Sequence, residues 1–424
     1  MTQTNINRRD FIKAAAVAVG VPCVVPASVM GQGAPSERIG IGFIACGKQS
    51  QHLMRSFLNS PGTQVIAACD VDKLKLERGK GIVEKHYAGK GNGSYKGCAT
   101  YGDFRELLAR DDIDAVVIST PDHWHTVIGT QAAKAGKDIY CEKPLTQTIG
   151  EAQTLIQTMR KYDRVFQTGS MQRSSWNFRF ACELVQNGYI GQIKHVTVGV
   201  GGPPADKPLE PMPVPDYLDW DTWLGPAMWR PYHSELSPHL SWDGFPHWRH
   251  HSWFGGGGMT DWGAHHFDIA QWGLGMDGSG PVEIIPPDGK DIKELTYRYA
   301  NGITMTRGSA NGILFEGDKG KIEVNRGYLK TWPDGLKNQK IGADQIHLYD
   351  SKNHYTDWLD AIRKRTKPIC DVATGASSVI VCHLGNLAYK LQRPLKWDPE
   401  VGVFVGDDEA NRLISRPSRS PWQV

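Results

Sequence analysis

Several features that would assign a chain of this kind to a class are missing here. No block of one charge sign occurs, and aromatic and basic residues are not interleaved, which argues against a nucleic-acid partner. The formal net charge is only +3 over 424 residues. The eight cysteines (Cys23, Cys46, Cys69, Cys98, Cys141, Cys182, Cys370, Cys382) show no paired spacing, so neither a disulfide framework nor a zinc ribbon is implied. There is no internal repeat and no low-complexity stretch. The one apolar run near the N-terminus is too short, and too interrupted by Pro22 and Pro26, for a permanent membrane span. What remains is a chain with 40% hydrophobic residues, enough for two domains with substantial cores.

That N-terminal run follows "NRRDFIK", with Arg8 and Arg9 ahead of Phe11, Ile12 and Lys13. The arrangement is the twin-arginine kind of export signal, and residues 1–33 read as signal and linker with cleavage after Ala27 or nearby. A basic tail before a buried helix is the competing reading. Cys23 directly after Pro22 fits lipid attachment poorly, so no membrane anchor is expected once the signal is gone. The expected destination is the periplasm, reached through the twin-arginine machinery, which carries proteins already folded around a cofactor.

Beyond the signal, strand-like runs alternate with helix-like ones. "RIGIGFI", "QVIAACD", "DAVVIST" and "KDIYCEKP" read as strands; "SQHLMRSFLN", the stretch from Asp72 to about His86 and "HWHTVIGTQAAKAG" read as helices. This alternation predicts an α/β fold with a doubly wound parallel sheet. A Rossmann domain is expected over residues 36–160. A second α/β domain with a mainly antiparallel sheet is expected over 161–424, where "ELTYRYANGITMTRG" and "KIEVNRGYLKTW" resume strand character.

Three motifs carry chemistry. In "GFIACGKQSQ", between a strand and a helix, the positions of a G-x-G-x-x-G turn are filled by Ala45, Gly47 and Ser50. The middle glycine, which lets backbone approach a pyrophosphate, is kept; Ser50 could cap the helix or donate to a phosphate. Asp70 ends the next strand about 25 residues on, where a carboxylate takes the adenine-ribose hydroxyls. Its charge favours NAD over NADP, while Lys48 leans the other way. The second motif places Lys143, between Glu142 and Pro144, at a strand's C-terminal end, where α/β sheets bind ligands. A lysine with a pKa near ~10.4 is a poor base, but partial desolvation and an oxidised nicotinamide's charge would let it accept a hydroxyl proton. A plain loop lysine is the bland alternative.

The third motif is "GGGGMTDWGAHHFDIAQW". Thr260 or Asp261 can open a helix that puts Asp261 and His265 on one face, with Asp268 extending it. A carboxylate beside an imidazole suits proton transfer. His250, His251, Asp261, His265, His266 and Asp268 are also a ligand pool for zinc, though no spacing is diagnostic and no metal is assigned. Around the motif are ten aromatics from Trp229 to Trp272, of which two or three are expected to meet a ligand and the rest to fill core.

With these motifs in order, the chain resembles the Gfo/Idh/MocA family, which contains glucose–fructose oxidoreductase and inositol dehydrogenase. The resemblance runs from "RIGIGFIACG" to "DDEANRLISRPSRSPW" and is most specific in "STPDHWH", "CEKPLTQT", "GGGGMTDWGAHHFDIAQW" and "VCHLGNLAYKL". It implies that Lys143 is the catalytic lysine, that Asp261 and His265 are its paired partners, and that Thr120, Pro121, His125 and Glu142 border the cofactor. It also implies a cis Lys143–Pro144 peptide, an open-faced sheet that often forms a homo-oligomer interface, and NAD or NADP chemistry on sugar or cyclitol hydroxyls. Ala45 and Ser50 depart from the family's glycines.

Three activities follow. One is a carbohydrate oxidoreductase whose NAD stays tightly bound, because a periplasm offers little of it free. The second is an NAD-dependent glycoside hydrolase or lyase, redox-neutral overall, acting through a transient keto-sugar. The third is a non-catalytic or metal-binding sugar-binding protein on a retired dehydrogenase fold.

Overall fold

Strands β1 (Ile39–Ile44), β4 (Ala115–Ile118) and β5 (Asp138–Cys141) are buried at every position. They show no polar alternation because helices cover both faces of their sheet. With β2 (Thr63–Cys69), β3 (Ala99–Tyr101) and β6 (Phe166–Thr168) they form a six-stranded sheet in the order β3-β2-β1-β4-β5-β6. Every pairing is parallel. The strand order reverses between β1 and β4, and the crevice outside their C-terminal ends is where such sheets bind ligands. The computed structural model describes residues 38–90 and 95–424; the twin-arginine segment lies outside them. Ile39–Val424 is a single compact unit.

The sheet extends past residue 160: β6 is a three-residue strand, too short to carry a pattern, so the first domain runs further than expected. Later chain also returns to it. Helix His354–Lys364 sets Trp358 against Phe57 and Tyr140, with ring centroids 5.3 and 5.7 Å apart. Helix Val372–Leu391 gives Val372, Ala376 and Val379 to this core, and Val381, Leu384 and Ala388 to the core of the second domain. Near the C-terminus, Trp422 packs edge-on to Trp124 at 4.8 Å.

The second sheet has nine strands. Their order is Tyr328–Trp332, Lys321–Asn325, Ile313–Gly317, Ile193–Val198, Thr304–Arg307, Thr296–Arg298, Glu283–Ile285, Leu395–Asp398 and Val403–Phe404. In this sheet only the pairing of Ile193–Val198 with Thr304–Arg307 is parallel among the described residues; the other pairings are antiparallel. Alternate residues such as Val196, Val198, Ile313, Phe315, Ile322 and Val324 are buried under helices. The intervening His195, Thr197, Leu314 and Glu323 are half-buried, as expected for an antiparallel sheet covered on one side.

Between the two sheets lies a buried ion pair. Arg173 is 2% exposed, and its Nε donates to Asp268 Oδ2 at 2.8 Å while Nη2 donates to Asp277 Oδ1 at 2.7 Å. Ser378 Oγ donates to Asp268 Oδ1 at 2.6 Å. Asp268 therefore does not extend the face of Asp261 and His265; it turns inward and, with Asp277, pairs the buried guanidinium of Arg173. Replacing Asp268 with leucine should cost about 3–5 kcal/mol of folding stability, because the buried arginine would keep only Asp277, the more exposed of its two carboxylates. Urea denaturation measures this, and a loss under about 1 kcal/mol would show that Asp277 alone suffices.

Candidate active site

The strand ends of the first sheet converge on a cavity of about 550 Å³ that also receives residues from the second domain. At the end of β1, Ala45 adopts φ 74°, the left-handed conformation that a glycine would take without strain. Its N–H donates to Cys69 O at 2.9 Å, and the next N–H, of Cys46, donates to Asp70 Oδ2 at 2.7 Å. Asp70 Oδ1 accepts from Asp72 N at 2.9 Å. The missing first glycine has thus been replaced by a strained alanine tied to the β2 end on both sides. Ala45→Gly should raise stability by about 1 kcal/mol, read as a shift of the urea midpoint; no shift would mean that the turn relaxes without strain.

Gly47 sets the fit for a dinucleotide. A Cβ added there meets no atom within 4 Å, so the protein's own packing does not demand glycine at this point, and the open space faces the crevice at the start of helix Lys48–Leu58. Thr120 Oγ1, at the end of β4, is buried without a protein partner. Both features suit a phosphate-bearing ligand lying over the turn. Ser50, in contrast, is fully buried and neither caps the helix, whose N-cap is Gly47, nor lines the cavity. It fills the close helix–sheet contact that a third glycine would otherwise occupy.

His125 also lies behind the cavity wall. Its Nδ1 is 2.9 Å from Pro144 O and its Nε2 3.0 Å from Thr120 O. Burial lowers its pKa to about 4, so only one of these contacts can be a hydrogen bond at neutral pH. The ring braces the Lys143–Pro144 turn, whose peptide is cis. Ala45, Gly47, Lys48, Asp70, Thr120, Pro121, Glu142, Lys143, Asp261 and His265 all line the cavity.

Lys143 is the centre of the arrangement. Its Nζ donates to Asp261 Oδ1 at 2.7 Å and to the Asp261 carbonyl at 3.0 Å. Burial alone would raise the Asp261 carboxyl, but Lys143, followed by Arg249, holds it below the usual carboxylate range. Asp261 and His265 do not share one continuous helix. Helix Gly257–Asp261 stops and Gly263–Gly273 begins anew, with Trp262 between them. His265 is buried and its Nδ1 has no partner. Burial first, then Lys143 and Arg326, keeps its imidazole well below the ordinary histidine range and so neutral.

Three site residues escaped the sequence reading. Asp122, inside "STPDHWH", lines the cavity and its carboxyl is pushed well above the usual range by burial, with Asp261 adding to the effect. Arg249 brings its Nε to 3.9 Å from Asp261 Oδ2. Arg326 comes from a hairpin turn in the second sheet. Of the aromatics, Trp242, Phe245, Trp248 and Trp262 line the cavity, whereas Tyr232, Phe254, Phe267 and Trp272 are core.

The segment 235–249 lies over the glycine turn as a strap. Asp243 Oδ1 is 3.2 Å from Lys48 Nζ, which also sits 5.1 Å from the Phe245 ring centroid, and Lys75 donates to Ser237 Oγ at 3.0 Å. The proposed metal pool is dispersed. His266 Nδ1 bonds Gly199 O at 2.8 Å, His251 faces Asp206, and Asp268 holds Arg173. Among the described residues no group of three or more His, Cys, Asp or Glu side chains is placed to hold a metal ion, and the seven described cysteines are free and buried.

Residues 39–170 match the NAD-binding Rossmann fold of the Gfo/Idh/MocA oxidoreductase family, and residues 200–424 match that family's C-terminal alpha/beta domain. The chain belongs to the Gfo/Idh/MocA oxidoreductase family. Over 215 residues it is 30% identical to glycosyl hydrolase family 109 protein 1 of Shewanella sp. (strain ANA-3). That match takes in 45% of this chain and 45% of the relative, so the chain spans about half the length of the curated relatives it matches. Two crystal structures share the fold of this Gfo/Idh/MocA protein. Aldose-aldose oxidoreductase from Caulobacter crescentus matches with TM-score 0.57 and 18% identity, over 85% of this chain and 99% of that one. Myo-inositol 2-dehydrogenase from Lactobacillus plantarum matches with TM-score 0.54 and 17% identity, over 85% and 99%.

Proposed function

We propose that this Gfo/Idh/MocA protein oxidises a hydroxyl of a sugar or cyclitol, using NAD that it holds tightly. The observation that carries the reading is the Lys143–Asp261 pair, 2.7 Å apart in the switch-point crevice with an unpartnered neutral His265 beside it. When bound, the nicotinamide supplies the hydride acceptor. Lys143, assisted by His265, takes the hydroxyl proton, and Asp261 orients both it and the substrate. Gly47 and Thr120 would hold the phosphates, and Asp70 the adenine ribose, whose 2′-phosphate its charge would repel. The strap 235–249 excludes water and keeps the cofactor in place, which suits export through the twin-arginine route into a periplasm poor in free NAD. A second copy of the chain is proposed to dock on the open face of the nine-stranded sheet.

A second reading draws on the glycosyl hydrolase family 109 relatives. A hydroxyl oxidised to a ketone acidifies the neighbouring C–H. Loss of that proton expels the glycosidic substituent, water adds to the resulting double bond, and returned hydride restores the hydroxyl. His265 or Asp122 would then supply the added proton transfers.

Nucleotide content tests the reading. The purified protein is denatured and the released nucleotide identified by mass spectrometry, beside a Gly47→Val variant. Stoichiometric NAD or NADH is expected from the wild type, and a folded but empty protein from the variant. A wild type that is empty and binds neither added NAD nor NADP would overturn both enzyme readings. Product without a second substrate would favour the cleavage reading.

A further inference from the structure

Arg326 occupies the middle of a two-residue turn between strands Lys321–Asn325 and Tyr328–Trp332. The turn is fastened from outside the sheet: Asn177 Nδ2 donates to the carbonyls of Asn325 (2.5 Å) and Tyr328 (3.2 Å). Asn325 Nδ2 donates in turn to Asn311 Oδ1 at 2.9 Å. The arginine side chain is held as well. Its guanidinium carbon lies 4.9 Å from the Trp262 ring centroid. With the Gln172 amide oriented to satisfy both neighbours, Arg326 Nε donates to it at 3.1 Å and it donates to His265 O at 3.1 Å.

What is left over is the fork. Neither Nη of Arg326 has a protein hydrogen-bond partner, and no carboxylate pairs with it among the described residues, yet the residue lines the cavity beside His265. The charge around it is one-sided. Lys143, Arg249 and Arg326 are cations. Asp261 is already engaged by Lys143, and burial pushes Asp122 and Glu142 towards their neutral forms. A planar fork of free N–H donors, stacked on an indole in a cation-rich site, suits two-point recognition of an oxyanion better than that of a hydroxyl.

We propose that Arg326 binds an oxyanion on the substrate, so that the sugars this enzyme accepts are acidic ones: uronates or O-sulfated sugars. The proposal rests on the sugar-oxidoreductase reading for its substrate class, but its test does not require turnover. Binding is measured by calorimetry on the nucleotide-loaded protein at constant ionic strength. Glucuronate, galacturonate and galactose 6-sulfate are compared with glucose and galactose, for the wild type, Arg326→Met and Arg326→Lys.

At least one acidic sugar should bind more than tenfold tighter than its neutral parent. Arg326→Met should remove that preference, and Arg326→Lys, which keeps the charge but not the fork, should recover only part of it. A carboxylate or a sulfate preference identifies which oxyanion is meant. Equal affinity for acidic and neutral sugars, an equal loss of both in Arg326→Met, or no binding of any acidic sugar overturns the proposal. Acidic sugars that bind through Arg326 but never change the nicotinamide absorbance would instead sink the oxidoreductase reading and leave this one standing.

Discussion

Lys143→Ala should lower turnover on the order of 10³-fold, the usual loss when a positioned proton-transfer group is removed, while the protein keeps its nucleotide. The separation follows from geometry. Lys143 meets the rest of the protein through its two bonds to Asp261, both from Nζ, whereas the turn of Ala45 and Gly47 is built by backbone contacts to Cys69 and Asp70. Truncation therefore leaves the nucleotide turn intact and frees the Asp261 carboxylate to face Arg249. Steady-state rates from nicotinamide absorbance, with released nucleotide quantified in parallel, check both halves. An activity that survives the substitution would move the base to His265, and His265→Ala would then become the inactive variant.

Acid should unfold this protein unusually early. His123 is held at about 3, and His125, His354 and His383 at about 4, each mainly by burial. Their hydrogen bonds suit the neutral ring: His354 Nε2 donates to Thr168 O at 2.8 Å while Nδ1 can accept from Ser174 Oγ at 2.8 Å. Below the unfolded value of 6.5 the denatured chain binds protons that the folded one refuses. Their contribution is complete above pH 6.5 and is lost as pH falls towards 4. At roughly 1.4 kcal/mol per pKa unit, each such ring contributes on the order of a few kcal/mol, offset in part by Asp122 and Glu142, whose carboxyls burial raises so that the folded protein takes up their protons first. Denaturant midpoints measured from pH 7 to pH 4 should fall, and His383→Gln should flatten the slope. A flat profile down to pH 4.5 would contradict the buried, neutral assignment.

The parallel sheet was legible because its strands are apolar runs that need no alternation, and the strand–turn–helix at the crevice because Gly47 and Asp70 keep their spacing. Lys143, Asp261 and His265, singled out by motif, all line the cavity, although the helix expected to join the last two is broken at Trp262. Residue type misled where burial decided the role: Ser50, His125 and Asp268 are polar groups that pack or brace rather than face the crevice. Arg249 and Arg326 had no local signal at all. A strap and a hairpin turn far along the chain bring them to the site, and only tertiary structure makes that juxtaposition.

The return of helices 354–364 and 372–391 to the first sheet bears on how the chain is made. Phe57 and Tyr140 are covered by Trp358, and the far side of the sheet by Val372, Ala376 and Val379. On the ribosome, therefore, the nucleotide-binding half emerges first yet keeps apolar surface bare until residues 354–379 have been synthesised. The first sheet is thus not closed in the order of synthesis, and until those helices arrive its bare faces are a client surface for chaperones.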